Sequence, residues 1–259
     1  MTDASSADDP GAARRRDGRP WSGGGREELA AAIRRLAALC VTADPPAGVL
    51  PELASRIEAV AHELESTVPE PGAEPRARFA DGRETGPSSA PSLAAAMPFD
   101  MVIGSCNPIA PPLVLEFDPP VARGSVAFAP PFEGAPGCVH GAVIAAIFDI
   151  MLTAANVVAG AAGPTVELRV RYRKPTLIDL PAEFEASVTS VKGRRVHSTG
   201  RLVQDGVVTV EAEGEFVNLP PERLDMIHRM GASRRKGGAR PPTREAEEAG
   251  EPTAEEATP

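Results

Sequence analysis

Hydrophobic positions along this chain change their period several times, and each change marks an element. From Glu27 to Val41, Leu29, Ile33, Leu36, Ala37 and Cys40 recur on one helical face. Asp44-Pro45-Pro46 stops that helix. From Leu50 to Val68, Leu53, Ile57, Val60 and Leu64 repeat at three to four residues, the pattern of a second amphipathic helix. The two form a helical hairpin over 26–68, too small to fold alone. It is expected to pack against the main domain or against a second copy.

Further on the period shortens. Leu113 to Phe117 and Val121 to Ala129 read as short strands around an Asp118-Pro119-Pro120 turn. Val139 to Val158 is a long apolar helix. After Gly163-Pro164, Val166, Leu168, Val170 and Tyr172 alternate with Glu167, Arg169, Arg171 and Arg173, a strand with one buried and one solvated face. Glu183 to Lys192, Arg195 to Gln204 and Val207 to Val217 follow as strands, with Gly193 and Asp205-Gly206 at the hairpin turns. Two strands, one helix and a meander of four strands predict an α+β architecture: an antiparallel sheet wrapped around one long helix, within 97–220. The flanking segments 1–25, 69–96 and 221–259 are rich in Pro, Gly, Ser and charge, and read as disordered ends and a linker, with one short helix near Asp225 to Met230.

Composition narrows the function. The net charge of −9 lacks the basic footprint of a nucleic-acid binder. Cys40, Cys106 and Cys138 are odd in number and far apart. They fit neither a disulfide framework nor a metal site, so a reducing, cytoplasmic setting is expected. The first twenty residues hold no apolar run of the signal-peptide type. Ala142 to Ala159 is about long enough to span a bilayer, but Asp149 sits in its middle. A carboxylate there costs roughly 2.5–3.5 kcal/mol even on the lenient insertion scale. No membrane span is expected; the stretch reads as a helix buried in protein.

That helix carries the candidate chemistry. Asp149 is its only ionisable residue, between Ile144, Ile147, Phe148, Ile150, Met151 and Leu152. A helix apolar all round is buried all round, and a buried carboxylate is costly unless a site uses it. The bland alternative is an Asp that caps a neighbouring segment or faces a wet cleft. At the helix start, Gly137-Cys138-Val139-His140-Gly141 offers free N–H groups that attract developing negative charge, and Gly141 admits a close ligand. The first turn can therefore act as an oxyanion hole. His140 is a candidate acid or base, though a role in fixing the loop by hydrogen bonds is favoured.

Gly141 and Asp149 lie eight residues apart, about 12 Å along the axis, so one helix cannot bring both to a single carbonyl group. Two such helices, antiparallel across a twofold axis, can. A homodimer with two shared sites is expected, and a tetramer remains open.

These residues resemble the hotdog-fold thioesterases, in the branch that includes phenylacetyl-CoA thioesterases and mammalian mitochondrial acyl-CoA thioesterases. The signature is His-Gly-Gly with an acidic residue eight positions after the first Gly, here His140-Gly141-Ala142 and Asp149. Gly104-Ser105-Cys106-Asn107-Pro108, Thr165 and Tyr172-Arg173-Lys174-Pro175 also look like that branch. The resemblance implies hydrolysis of an acyl-CoA thioester without metal or cofactor. Asp149 would be the nucleophile or general base, the Gly141 amide would polarise the carbonyl, and Thr165 and Asn107 would stand near the substrate. Coenzyme A carries several phosphates, so Arg171, Arg173, Lys174, Arg194 and Arg195 are candidates for its mouth. For any one of them, a solvated strand face is at least as natural a reading. Two positions depart from the pattern: Ala142 replaces the second Gly, and Gly134 stands where some members have Asn. The rival readings are an acyl-CoA hydratase or dehydratase, and a non-catalytic acyl-CoA-binding or regulatory protein.

Overall fold

The computed structural model of the chain describes residues 25–67 and 90–219, with Arg223. The expectations for 1–24, for the linker up to residue 89 and for the tail with its short helix lie outside the described residues. Among the described residues the named α-helices are α1 (Arg26–Thr42), α2 (Leu50–Glu65), α3 (Ala90–Ala96) and α4 (Gly141–Val158). Six strands accompany them: β1 (Val114–Asp118), β2 (Val121–Ala127), β3 (Thr165–Tyr172), β4 (Pro181–Lys192), β5 (Arg195–Gln204) and β6 (Val207–Val217). Every strand expected from the alternation is found within two residues of its expected ends. Tight turns joining β4 to β5 and β5 to β6 fall at Gly193 and at Asp205-Gly206, all with positive φ.

All six strands form one antiparallel sheet in the order β1-β2-β4-β5-β6-β3. The expected four-strand meander is corrected here: β4, β5 and β6 are a meander, but β3 pairs with the far side of β6. The segment between β3 and β4 must therefore cross the ends of β6 and β5. Gln204, at the end of β5, holds it there. Its Oε1 accepts from Leu177 N at 2.8 Å, and its Nε2 donates to Leu177 O at 3.1 Å. Nearby, Arg173 N and Lys174 N both donate to Thr209 O.

Helix α4 lies across one face of the sheet. Ile144, Ile147, Phe148, Met151 and Leu152 point into the core with Phe128, Phe184 and Phe216. Glycines give this layer its closeness. A Cβ on Gly124 of β2 would lie 2.7 Å from Met151 Sδ. On Gly200 of β5 it would lie 3.2 Å from the Phe148 ring, and on Gly214 of β6 2.9 Å from Leu152 Cδ1. Three neighbouring side chains of α4 thus sit over glycines of three strands. At the other end of the helix, buried Asn156 accepts a hydrogen bond from Ser198 of β5.

The opposite face of the sheet meets water. Arg171 pairs with Glu213 at 3.0 Å, Arg173 with Glu211 at 2.7 Å and Arg195 with Glu215 at 3.1 Å. Glu185 bonds Arg201 at 2.5 Å and also Arg123, and these guanidinium groups hold its carboxyl below the ordinary carboxylate range. Exposed pairs of this kind contribute about 0–1 kcal/mol each; they mark which face is wet.

The expectation that α4 is buried all round is also corrected. A single sheet covers one side of a helix. Ala142 is exposed, and Ala145, Ala146, Asp149 and Thr153 are only half-buried, which leaves one uncovered stripe. The helix is long and apolar enough to cross a membrane by composition alone, yet half of it is buried in the fold.

The N-terminal helices are present as expected. Helix α1 docks on the main domain: Ala30 is buried, Arg34 Nη1 donates to Asn107 O at 2.7 Å, and Ser105 Oγ donates to Glu27 Oε1 at 2.7 Å. Their apolar stripes do not close on one another, however. Leu29, Ile33 and Leu36 of α1 and Leu53, Ile57, Val60 and Leu64 of α2 all remain exposed.

Gly214→Ala tests the glycine seating. Its Cβ would meet the buried Phe216 ring at 2.6 Å as well as Leu152. A loss of about 1–3 kcal/mol is expected from overpacking, read as a lower denaturant midpoint. Gly48→Ala, with nothing within 4 Å, should leave the midpoint nearly unchanged.

Candidate active site

The approach to α4 is tied down at every step. Val139 N donates to Thr176 O at 2.8 Å, His140 N to Phe132 O at 2.8 Å, and Gly134 N to Cys138 O at 2.8 Å. His140 is the N-cap residue with extended backbone, and its Nδ1 accepts from Ala142 N at 3.0 Å. This is the loop-fixing role. A ring that accepts through Nδ1 carries its proton on Nε2 when neutral.

The cap decides which amide is left over. Ala142 N is taken by the His140 ring, while Val143 N and Ile144 N donate to His140 O. Among the described residues Gly141 N has no acceptor. It stands at the positive end of the helix dipole, on a cavity of about 340 Å³ lined also by Cys138, Ile144, Tyr172, Arg173 and Lys174.

Tyr172, at the end of β3, is a member of this site that the alternation did not single out; it reads there as one more apolar strand residue. Its hydroxyl donates to Gly141 O at 2.7 Å. A Cβ on Gly141 would lie 3.2 Å from that oxygen, so glycine here serves the tyrosine's approach as well as a ligand's. The ring is half-exposed, but its hydroxyl end is tucked against the helix, and burial there pushes the phenol above its ordinary value.

Asp149 lies two turns further along, on the uncovered stripe of α4. Its Oδ1 accepts from Thr165 Oγ1, at the start of β3, at 2.7 Å. Thr165 and Tyr172 are opposite ends of one strand, about 23 Å apart at the usual rise. The fold therefore separates the candidate residues into two groups. One holds the Gly141 amide, Tyr172 and Lys174. The other holds Asp149 and Thr165, at the sheet end where β5 begins with Arg195, beside Arg194.

The remaining candidates separate. Lys174 and Arg194 have no side-chain partner among the described residues, and Lys174 lines the cavity. Arg171, Arg173 and Arg195 are held by glutamates of β6, which is the solvated-face reading, although Arg173 also borders the cavity. Asn107 joins neither group: its Nδ2 donates to Phe99 O at 3.1 Å and its Oδ1 accepts from Ile109 N at 3.0 Å, so its carboxamide shapes a loop under α1. No cluster of metal-ligating side chains occurs among the described residues.

A crystal structure of a thioesterase superfamily protein is 30% identical, with a TM-score of 0.64, over 80% of this chain and 95% of that one. The chain belongs to the thioesterase superfamily. The superfamily's profile matches residues 136–211, from the loop before α4 through most of β6, and the fold is the hotdog fold. The structural match covers more of the chain than the 97–220 domain contains, so it is not confined to the sheet and α4. Among curated proteins, acyl-coenzyme A thioesterase THEM4 of Mus musculus is 29% identical over 93 residues, 35% of this chain and 40% of that protein. THEM4 of Bos taurus is 27% identical over 96 residues, 36% and 39%. The matched region thus spans about two-fifths of these relatives' length.

Tyr172 is the chain's only tyrosine, so ultraviolet titration reads it alone. Its ionisation midpoint should lie higher in the native protein than in denaturant. The native contact favours the neutral phenol, so its stabilisation is present below the unfolded midpoint and is lost as pH rises through the native one. Tyr172→Phe should cost about 0.5–1.5 kcal/mol for the lost hydrogen bond, measured by chemical denaturation.

Proposed function

We propose that this protein hydrolyses acyl-CoA thioesters in sites shared between two copies of the chain. One observation carries the reading. The only ionisable side chain of α4, Asp149, lies on the one stripe of that helix that the sheet leaves uncovered, while the only first-turn amide without an acceptor, Gly141 N–H, opens on a cavity beside Lys174. Membership of the superfamily and the likeness to proteins named acyl-coenzyme A thioesterases support the reaction class.

The two half-sites become one if a second copy lays its α4 antiparallel on the first across a twofold axis. Each Gly141 end then meets the other chain's Asp149 end. Three features support this arrangement: the uncovered stripe, the unpaired outer edge of β3, and the exposure of Val166 and Tyr172 on that strand. An open strand edge is a ready template for another chain. The small residues Ala142, Ala145 and Ala146 let two helices approach closely.

In such a site the thioester carbonyl oxygen accepts from Gly141 N–H, which stabilises the charge that builds there. Asp149, oriented by the Thr165 hydroxyl, either takes a proton from water as the water attacks, or attacks the carbonyl carbon itself. The carbon–sulfur bond breaks and CoA leaves as the thiolate. In the second route a mixed anhydride with Asp149 is then hydrolysed. Both routes end in free acid and CoA, with no metal or cofactor. Lys174 and Arg194 are the cations open to CoA phosphates. Three free thiols accord with a reducing compartment, and we place the enzyme in the cytoplasm.

Free-thiol release over a panel of acyl-CoAs tests this. Asp149→Asn should lower kcat by about 100- to 10,000-fold with little change in the denaturation midpoint. Unchanged turnover would remove Asp149 from the chemistry. CoA binding without turnover in the unaltered protein would make it a binding module instead. Single turnover in heavy-oxygen water followed by mass spectrometry tests the anhydride route: label in Asp149 means attack by the carboxylate, whereas label only in the product acid means that water attacked the acyl carbon, of the thioester or of the anhydride.

A further inference from the structure

We infer that α2 is a self-association element that pairs antiparallel with α2 of a second copy. No residue of α2 is buried, and its substantial contact is with the short 3-10 turn at Ala47–Val49 just before it. A lone helix of 16 residues is marginal in water and takes its stability from packing an amphipathic face. That face is built for another helix. Leu50, Leu53, Ile57, Val60 and Leu64 are spaced three, four, three and four residues apart, the two-position seam of a coiled coil. The last four are 36%, 42%, 52% and 43% exposed.

The seam's flanks select the occupant. On one flank stand Arg56 and Glu63, two turns apart, neither with a side-chain partner among the described residues. On the other stand Ala54 and Ala61, small enough for close approach. The solvent side is polar, with His62 and Glu65 already paired there at 3.1 Å. When α2 is laid antiparallel on itself, Ile57 meets the partner's Val60 and Leu53 meets the partner's Leu64, each layer twice. Arg56 then faces the partner's Glu63, also twice. A parallel pairing sets Arg56 against alanine and makes no ion pair. Helix α1 has an exposed apolar stripe as well, but the residues flanking it are Ala30, Ala32, Ala37 and Leu39, which supply no charge to match Arg56 or Glu63. A second copy of α2 is the occupant that satisfies both the seam and the charges. This inference stands apart from the α4 stripe and the hydrolysis proposed there.

Hydrogen exchange along α2, followed by mass spectrometry on the full chain, tests it. In the unaltered protein the amides from Leu53 to Leu64 should be protected at high concentration and lose protection on dilution. Arg56→Glu and Glu63→Arg each replace two attractions by two repulsions, and should each weaken self-association about tenfold. An equimolar mixture of the two variants restores both ion pairs and should recover the protection. Recovery in the mixture also shows that neither variant is simply misfolded. The inference is overturned by protection independent of concentration, which means that α1 or the main domain covers the seam. It is equally overturned by absence of protection at any concentration, by indifference to both charge reversals, or by no recovery in the mixture.

Discussion

The seating of α4 on three sheet glycines is the constraint on which the rest of the molecule depends. A helix normally rides above a sheet on a layer of side chains, and its axial position can drift with the packing. Here Phe148, Met151 and Leu152 drop onto Gly200, Gly124 and Gly214, which belong to three different strands. Movement along the axis or rotation about it would drive one of these side chains into a neighbouring strand residue that has a Cβ. Interiors are packed too densely to absorb that. The helix is thus indexed to the sheet, and Gly141 at one end and Asp149 two turns on inherit fixed positions relative to the two ends of β3.

Both groups of candidate residues are accordingly assembled from α4 and β3. Tyr172 reaches the first turn of the helix and Thr165 reaches Asp149, each by a 2.7 Å hydrogen bond. The strand that completes them is the edge strand, attached to the sheet only through β6. On its wet face Arg171 and Arg173 are spent on Glu213 and Glu211, which bind β3 to β6. The apolar stem and the hydroxyl ends of β3 are left for the helix. A strand with one edge unpaired, beside a helix with one stripe uncovered, presents a continuous surface of the kind that symmetric assembly consumes.

Much of this was legible in the chain, and the illegible parts share a cause. Strand positions followed from alternation and from turn glycines, because both are local. The isolation of Asp149 was legible because a single charge in an apolar run is a local contradiction. The side of the sheet on which β3 pairs was not, since it depends on Gln204 holding a crossover segment whose residues carry no matching pattern. Tyr172 was missed because period-two alternation counts it as apolar, and its hydroxyl matters only once the strand end is placed beside Gly141. The pairing of the arginines did have a signal: Glu211, Glu213 and Glu215 alternate on β6 with the same period as Arg169, Arg171 and Arg173 on β3. Asn107 is a candidate by resemblance alone, and no local pattern in the chain signals that its carboxamide bonds its own loop.

The two departures from the superfamily pattern look different once His140 is placed. A Cβ on Gly134 would come within 2.9 Å of His140 Cα and 3.2 Å of its ring, so the histidine occupies the space that any side chain at 134 would need. In return the ring caps Ala142, and Ala142 in turn tolerates its methyl group because it points to the uncovered stripe rather than to the sheet. His140 N–H donates to Phe132 O, its ring accepts from Ala142 and its carbonyl accepts from Val143, so one residue accounts for three of the four amides that a helix start leaves open. The one it does not satisfy is that of Gly141, a residue that lines the cavity and whose carbonyl is held by Tyr172. A loop without a side chain at 134 is therefore coupled to the selection of a single free donor at the mouth of the site. Both positions belong to one local solution in which His140 orients the backbone at the helix start.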